Sequence, residues 1–342
     1  MIGAVATAGW LAATLSLGTD PVADAAFTPR SGPVAYRILY RVDVLQDPPS
    51  TTFEERVVRR PFEGRILSST SRGVDLNDPG TSGTMSVGSS ILSISDGQQT
   101  LVRQRVPNAA IGDVALASVL EEAARLGHAE AQAEEDVVLD RPCRLFAVKE
   151  PGARVVAAPT KSSRTTLCID DDGLILRERW ELRGRVVLER TAIELDEDPD
   201  LTASGDPTNA PAPEAPLTMG ATVRPVERVD SFIDEPPLPT EWTLIGRFET
   251  VTVDRTQGLS RTSAWVMQDN GDFLVVEAGN GRINLSGSVR EVPSALGEAA
   301  LFLGTMGAEI RVHVDANRWI RVTTSAPPAD LSRYVETLRT RG

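Results

Sequence analysis

The sequence predicts a mainly β protein with two antiparallel sheets and one helix beside each. Short runs of alternating apolar and polar residues fill both halves of the chain, separated by turn signals such as Asp96-Gly97 and Asn270-Gly271. Amphipathic helical spacing occurs at 113–128 and again at 331–338. A proline-rich stretch at 198–216 separates the two halves. Together these observations indicate an α+β fold in two domains.

The composition is that of a folded, acidic globular protein. Its 342 residues are 41% hydrophobic and 24% charged, an ordinary balance that leaves room for two domains with substantial cores. The formal net charge is −13, with 48 acidic against 35 basic side chains. Non-specific nucleic-acid binding needs a basic surface that displaces counterions, so the charge argues against nucleic acid as a partner.

The N-terminal residues 1–25 are predicted to be a signal peptide or an N-terminal anchor. Residues 2–18 carry no charge, and Ala23-Asp24-Ala25 resembles a processing site. No basic residue precedes the apolar run, and its length is at the short limit for a bilayer span, so cleavage and anchoring both stay open. Either way we expect an exported, periplasmic or extracytoplasmic protein of the cell envelope.

Four consecutive strands are predicted between residues 143 and 195, at 143–149, 164–169, 174–182 and 186–195. Turns are expected at Asp170–Gly173 and at Arg183-Gly184, because aspartate tolerates turn geometry and glycine supplies positive φ. The third strand alternates apolar with charged residues, as a sheet with one buried face needs. Its apolar positions are Leu174, Leu176, Trp180 and Leu182.

The two cysteines, Cys143 and Cys168, fall in strands that we expect to be neighbours. A disulfide between them would close a loop of about 25 residues and add roughly 3–4 kcal/mol in the chain-entropy model. Disulfides persist in oxidising compartments, so the predicted leader and the predicted bridge support each other. The alternative is a pair of buried thiols in a cytosolic protein.

Five further strands are predicted in the first half, at 34–45, 53–60, 65–71, 86–95 and 99–106. The second of these is unusually charged, since it contains Glu54, Glu55, Arg56, Arg59 and Arg60. This charge predicts an outer, solvated face for that strand.

A helix is predicted from Asp113, a suitable N-cap, to His128, with Leu120 in a broad apolar stripe. Because it is the one amphipathic helix among many strands, it must lay this stripe against the sheet. Residues 128–136 are predicted to form an acidic, solvated extension beyond the helix.

The repeated prolines with small and acidic residues are typical of a semi-extended linker. We place the linker at 198–220, between a first domain of residues 26–197 and a second domain of residues 221–342. Strands of the second domain are predicted at 242–253, 263–268, 273–278, 283–289, 299–303, 310–314 and 319–324. The closing helix carries Leu331, Tyr334, Val335 and Leu338 at helical spacing.

The sequence offers little catalytic chemistry. Its two histidines, His128 and His313, belong to different predicted domains, which disfavours a histidine triad or a multi-histidine metal site. It contains no nucleophile elbow, P-loop or dinucleotide fingerprint. Asp170–Gly173 lacks the spacing and the final glutamate of an EF-hand. We therefore expect no metal, no cofactor and no enzymatic activity, although a carboxylate pair for glycoside hydrolysis stays open.

The first half resembles the LolA-like lipoprotein-carrier fold, which is shared by LppX/LprG-type lipid carriers and by the N-terminal domain of RseB/MucB-type proteins. The residues that carry the resemblance are the opening strand Tyr36–Val44, the segment Val57–Phe62, and Cys143 followed by Cys168–Glu178 with its Asp-Gly-Leu-Ile-Leu run. The segment 255–259 before a β-rich run is similar to the C-terminal module of RseB/MucB-type proteins.

This resemblance implies a curved antiparallel half-barrel sheet covered by a helix, with an acyl-chain cavity on its concave side and no catalytic residues. A strongly curved half-barrel leaves apolar volume that side chains do not fill. The alternative for each candidate residue is packing in a dry core. The candidates for the cavity lining are Tyr36, Ile38, Tyr40, Leu92, Ile94, Leu120, Leu174, Leu176 and Trp180.

Two binding functions follow from the resemblance. The first is a non-enzymatic carrier whose partner is a lipid or the acyl chain of a lipidated protein. The alternative is an RseB/MucB-like regulator that senses envelope stress and binds a membrane-bound anti-sigma factor through its second domain.

Overall fold

The computed structural model describes residues 27, 32–75, 78–107, 113–149, 163–200, 221–254 and 258–341. The predicted signal peptide or anchor lies outside these residues, as do most of the predicted linker and part of the segment 255–259. The placement of the domain boundary in that linker therefore stays a prediction. Within the described ranges, neither helix has the length and apolar composition that a membrane span requires.

Eleven antiparallel strands form the first sheet. Their bounds are β1 (Ala35–Val44), β2 (Ser50–Arg59), β3 (Glu63–Ser69), β4 (Ser82–Val87), β5 (Ser90–Ser95), β6 (Gln98–Gln104), β7 (Ala129–Val138), β8 (Arg141–Lys149), β9 (Ser163–Ile169), β10 (Ile175–Leu182) and β11 (Arg185–Asp196). Across the sheet they lie in the order β6-β5-β4-β3-β2-β1-β11-β10-β9-β8-β7, so β6 and β7 are its edges. Helix α1 (Asp113–Arg125) lies between these two edge strands in the chain.

Bulges bend the first sheet near its centre. The pairing of β1 with β11 shifts between Leu39 and Tyr40, and the pairing of β10 with β9 shifts between Ile175 and Arg177. A bulge turns the strand and increases its twist. The sheet is therefore curved and keeps two edges, which confirms the predicted antiparallel half-barrel fold class.

Hairpin turns form where the sequence predicts them. Arg183 and Gly184 have φ angles of 50° and 75°, and Asp96 and Gly97 have φ angles of 52° and 71°. A type I′ turn needs positive φ at both central residues, which glycine adopts without strain and aspartate tolerates. These turns fix the register of β10 with β11 and of β5 with β6.

The predicted disulfide is confirmed. Cys143 in β8 and Cys168 in β9 are bonded, with 5.3 Å between their Cα atoms. The turn that follows is held by Asp170, whose Oδ1 accepts hydrogen bonds from the backbone nitrogens of Asp172 (3.1 Å) and Leu174 (2.8 Å). The aspartate thus satisfies the backbone donors of its own turn.

The second sheet has eight antiparallel strands. Their bounds are β12 (Ala221–Val226), β13 (Thr243–Asp254), β14 (Gly258–Asp269), β15 (Asp272–Asn280), β16 (Arg290–Val292), β17 (Glu298–Gly304), β18 (Gly307–Asp315) and β19 (Arg318–Thr324), followed by helix α2 (Pro328–Val335). Their order is β12-β13-β14-β15-β19-β18-β17-β16. The predicted closing helix is confirmed over Pro328–Val335; its Leu331, Tyr334 and Val335 are buried, and so is Leu338 just beyond its end.

The predicted acidic extension at 128–136 is largely solvated, but it does not continue the helix, because residues 129–136 form most of strand β7. Helix α1 ends at Arg125, and Gly127 turns the chain with a φ of 80°. In the described sheet β7 is an edge strand paired with β8. Its acidic side chains therefore stay largely solvated while its backbone is hydrogen-bonded on one side.

Two other strand predictions need correction, and one strand has no prediction. The β structure predicted at 86–95 consists of the end of β4 and the whole of β5, because Gly88 turns the chain with a φ of 52°. The strand predicted at 283–289 does not form, and β16 begins only at Arg290. Strand β12 is not predicted because it contains Pro225, which is tolerated at a sheet edge.

Helix α1 packs between the two sheets rather than on the first sheet alone. Its buried stripe includes Val119, Leu120 and Ala123. These side chains belong to one hydrophobic cluster that contains Phe146 of the first sheet and Leu301 of the second. The helix also contacts β17, β18 and α2. The two sheets therefore share one core, and α1 lies where they meet. We call the contact of Val119, Leu120 and Ala123 with both sheets the seam.

A second apolar contact joins the sheets at the turn between β2 and β3. Phe62 in that turn packs in a cluster with Val266 and Val275 of the second sheet. Its ring centroid lies 6.2 Å from that of Phe273. The second sheet is therefore held on the first at two separate places.

We predict that Leu120→Ala destabilises both sheets together. The substitution removes a fully buried side chain from the shared core and should lower the free energy of unfolding by about 2–5 kcal/mol. Glu121→Ala, on the exposed side of the same helix, should change it by no more than about 0.5 kcal/mol. Urea unfolding measures the free energy of unfolding, and hydrogen exchange measures the protection of each sheet at low urea concentrations. Loss of protection confined to the first sheet would contradict a shared core.

Candidate functional site

Eight of the nine predicted lining residues divide among three hydrophobic clusters, and Trp180 belongs to none of the three. All except the half-buried Trp180 are buried. One cluster, beside the disulfide, contains Tyr36, Ile38, Tyr40, Leu174 and Leu176. Leu92 and Ile94 lie in a separate cluster with Met85 and Leu101. Leu120 belongs to the shared core. Their contact with a ligand stays a prediction.

The cluster around Tyr40 is bordered by charged side chains. Directly opposite Tyr40 and Ile38 on β2 stand Glu54 and Arg56, so the four side chains share one face of the sheet. Charge thus lies beside the predicted apolar lining.

Arg190 on β11 links these charges into one network. Glu54 accepts a hydrogen bond from Nε of Arg56 at 2.8 Å and one from Nη1 of Arg190 at 3.0 Å. Nη2 of Arg190 lies 2.6 Å from a carboxylate oxygen of Glu178, its cross-strand neighbour on β10. Arg56, Arg190 and Glu178 are only 8%, 9% and 8% exposed. Buried charges persist when they are paired in this way.

Both arginines of this network also stack on an aromatic ring. The guanidinium carbons of Arg56 and Arg190 lie 5.3 Å and 4.8 Å from the ring centroid of Tyr40. The phenol donates a hydrogen bond to the backbone oxygen of Ile175 at 2.7 Å. Trp180 joins the network by donating from its indole nitrogen to Glu178 at 2.5 Å. The face of the first sheet around Tyr40 therefore combines apolar side chains with charged side chains that are held in fixed positions.

The predicted outer, solvated face of strand 53–60 is wrong. Glu55 points to the opposite side from Glu54 and Arg56, yet it is only 4% exposed. It pairs with Arg37 at 2.7 Å and with Arg65 at 3.1 Å. Both faces of β2 are therefore covered, and the charges that seemed to require solvent are paired inside the protein. The signal that could have found them was the matching set of arginines on β1, β3 and β11.

Two surface grooves have modest volumes. One, of about 220 Å³, lies against β7 to β10, and the other, of about 290 Å³, is in the second sheet. Pockets for drug-sized ligands typically have roughly 300–1,000 Å³. The first groove is polar, with Arg177 paired to Asp136 beside it. The second has Phe302 and Met306 on its floor, with Arg311 stacked on Phe302 at 4.0 Å.

A group of carboxylates at the end of the first sheet is held by an arginine. Arg141 lies 2.8 Å from Asp170, 2.5 Å from Asp172 and 2.6 Å from Glu197. Burial raises the pKa of Asp170, against the opposing effect of a backbone hydrogen bond and of the Arg141 charge. The guanidinium occupies the position that a cation would need, so the arrangement is an ion-pair clamp on the turn after Cys168.

A charged contact borders the seam at α1. Glu122 on α1 accepts two hydrogen bonds from Arg125, both 2.7 Å long, and Nη2 of Arg290 on β16 lies 4.0 Å from its carboxylate. The hydrogen bonds from Arg125 lower the pKa of Glu122, and the charge of Arg290 acts in the same direction against the effect of burial. The apolar seam therefore has an ionic rim that reaches the second sheet.

Comparisons with known proteins give matches among solved structures alone. No protein-family model matches the chain, and no curated protein matches it. The chain is similar to MucB in its complex with MucA(peri), with 12% identity and a TM-score of 0.29 over 90% of this chain and 93% of MucB. It is also similar to the LolA superfamily protein NE2245 from Nitrosomonas europaea, with 11% identity and a TM-score of 0.20 over 72% of this chain and 89% of the other.

A third similar structure is a DUF1329 family protein from Desulfovibrio piger, with 10% identity and a TM-score of 0.24 over 51% of this chain and 90% of the other. The matches include the LolA-like and MucB-type proteins that the sequence resembles. Similarity at this level concerns the fold and says nothing about ligands or partners.

We predict that Arg190→Met is strongly destabilising. The substitution leaves Glu178 buried without its cationic partner, which typically costs about 3–5 kcal/mol of unfolding free energy. Arg179→Met on the neighbouring strand is the control, because the Arg179–Glu189 pair is more exposed and should contribute about 1 kcal/mol or less. Denaturant unfolding measures both variants. Equal losses would show that the network around Tyr40 has no special role.

Proposed function

We propose that the protein is a non-enzymatic, exported protein of the cell envelope that binds a hydrophobic ligand, the acyl chain of a lipid or of a lipidated protein. The observation that carries this proposal is the seam at α1, where one amphipathic helix supplies the same apolar stripe to two sheets. A ligand that parts the seam gains access to a continuous apolar surface.

The ionic groups support a binding role over a catalytic one. Arg190 is compensated by Glu54 and Glu178, and the carboxylates around Arg141 are held by its guanidinium. Such neutralised pairs hold their side chains in place, which suits a binding surface better than a site that exchanges protons.

Ligand entry requires the seam to open. The two grooves, of about 220 and 290 Å³, are small, and the apolar side chains of α1 are already buried against both sheets. The protein must therefore populate a more open state to which the ligand binds better. The apparent affinity is reduced by the fraction of molecules that are open.

Photo-crosslinking with a diazirine-bearing fatty acid tests this proposal. We expect the exported protein to bind a fluorescent fatty acid and the crosslinks to fall on 116–123 of α1 and on β17. Crosslinks on β1 around Tyr40 and on Leu176 would place the ligand on the predicted inner face instead. Native mass spectrometry that shows a folded, empty protein, together with no probe binding, would refute the proposal.

The second candidate function is regulatory and rests on the same seam. Because the two sheets share a core, a ligand at α1 would change the surface that the second sheet presents. An RseB/MucB-like protein would use this change to control binding of a membrane-bound anti-sigma factor. MucB was crystallised with MucA(peri), which gives the idea a precedent in a structurally similar protein.

Pull-down from envelope extracts, with and without added fatty acid, distinguishes the two functions. A single-pass membrane protein that is captured and then released by fatty acid would support the regulator. Fatty-acid binding that leaves the set of captured proteins unchanged would support the carrier. The Leu101→Ala variant, altered in a cluster away from α1, controls for general destabilisation.

A further inference from the structure

Phe27 lies in the core beneath the second sheet, although the chain then enters the first sheet at β1. Its ring centroid is 5.1 Å from that of Trp242 and 5.6 Å from that of Tyr334 on α2. Phe27 is 7% exposed, and all three side chains belong to the shared core. The phenol of Tyr334 donates a hydrogen bond to the backbone oxygen of Pro237 at 2.9 Å, which holds the tyrosine ring in place. We call Trp242 and Tyr334 the aromatic seat.

The chain is also held where it reaches the first sheet. Arg60, after the end of β2, donates hydrogen bonds to the backbone oxygens of Gly32 (2.9 Å) and Pro33 (2.8 Å). Its side chain lies against the β14–β15 turn, where a Cβ added to Gly271 would be 3.2 Å from its Cζ. Burial lowers the pKa of Arg60, and the charge of Asp272 opposes that effect. Arg60 thus contacts both the N-terminal chain and the second sheet.

The aromatic seat is connected to the seam through α2. Nη2 of Arg290 lies 4.0 Å from Glu122 of α1 and 3.5 Å from Oγ of Ser332 on α2. Ser332 is two residues before Tyr334 on the same helix. Helices α1 and α2 also contact each other directly. Helix α2 therefore contacts both the aromatic seat and, through Arg290, the border of the α1 seam.

We propose that Phe27 is an intramolecular ligand of the aromatic seat and stabilises the closed seam. This inference rests on the proposed function, and it identifies Phe27 as the side chain that controls how often the seam opens to a ligand. The phenyl ring of Phe27 contacts both rings of the aromatic seat and belongs to the core that the two sheets share. Phe27 follows the predicted processing site Ala23-Asp24-Ala25, so it belongs to the chain whether that site is cleaved or not.

The test compares Phe27→Ala and Phe27→Leu in the full chain with Leu101→Ala as the matched control. Leu101 is a buried side chain of the first sheet in a separate cluster, so its loss destabilises the fold without touching the seat. The first measurement is hydrogen exchange of α1 and β17. The second is the affinity for a fluorescent fatty acid.

With Phe27→Ala we expect exchange in α1 to become about tenfold faster and the probe to bind about tenfold more tightly, because the open state is more populated. Phe27→Leu should fall between this variant and the wild type, since it keeps part of the apolar volume and loses the ring. Leu101→Ala should change neither the hydrogen exchange of α1 nor the affinity for the probe.

The outcomes separate this proposal from the proposed function. Faster α1 exchange in Phe27→Ala with no probe binding in any variant would support the role of Phe27 and overturn the lipid-binding function. Probe binding that is the same in all variants, with unchanged α1 exchange, would overturn the role of Phe27 alone. If Phe27→Ala fails to fold, Phe27→Leu decides by the same two measurements.

Discussion

The arrangement of the molecule depends on the burial of one helical stripe. Helix α1 lays its apolar stripe against both sheets, and Val119, Leu120 and Ala123 are all fully buried. The second sheet needs a cover for its own apolar face, and α1 supplies part of it. One helix therefore satisfies two sheets, which explains why the two halves of the chain form a single core.

Paired charges give the first sheet a different kind of order. Strand β2 carries charged side chains on both faces. Glu55 on one face meets Arg37 of β1 and Arg65 of β3, and Glu54 on the other meets Arg190 of β11. A slip of one residue would place every buried charge on the wrong face without its partner. Such networks add little net stability over apolar packing. Their effect here is to specify the register of β1, β2, β10 and β11.

The sequence was informative where local chemistry decides the structure and less so where partners decide it. Glycine and aspartate turns such as Asp96-Gly97 need particular φ angles, so the hairpins, the Cys143–Cys168 bridge and both helices could be predicted. Strand β7 could not, because acidic and alanine-rich residues favour no strand and form one only by pairing with β8. The division of the candidate lining among three clusters depends on bulges and on contacts with the second sheet, which periodicity does not encode.

A closed seam is compatible with ligand binding if the exchange is nearly balanced. An acyl chain that enters beside α1 replaces apolar contacts with other apolar contacts, and each Å² lost or regained is worth a similar amount, about 25 cal/mol. The free energy of the ligand-bound open state then differs little from that of the closed state, because the apolar contacts that are lost and those that are regained nearly cancel. Under those conditions a single side chain such as Phe27, buried between Trp242 and Tyr334, contributes enough to set the population of the open state. The same balance would let a partner of the second sheet sense the ligand without touching it, because both act on one shared core.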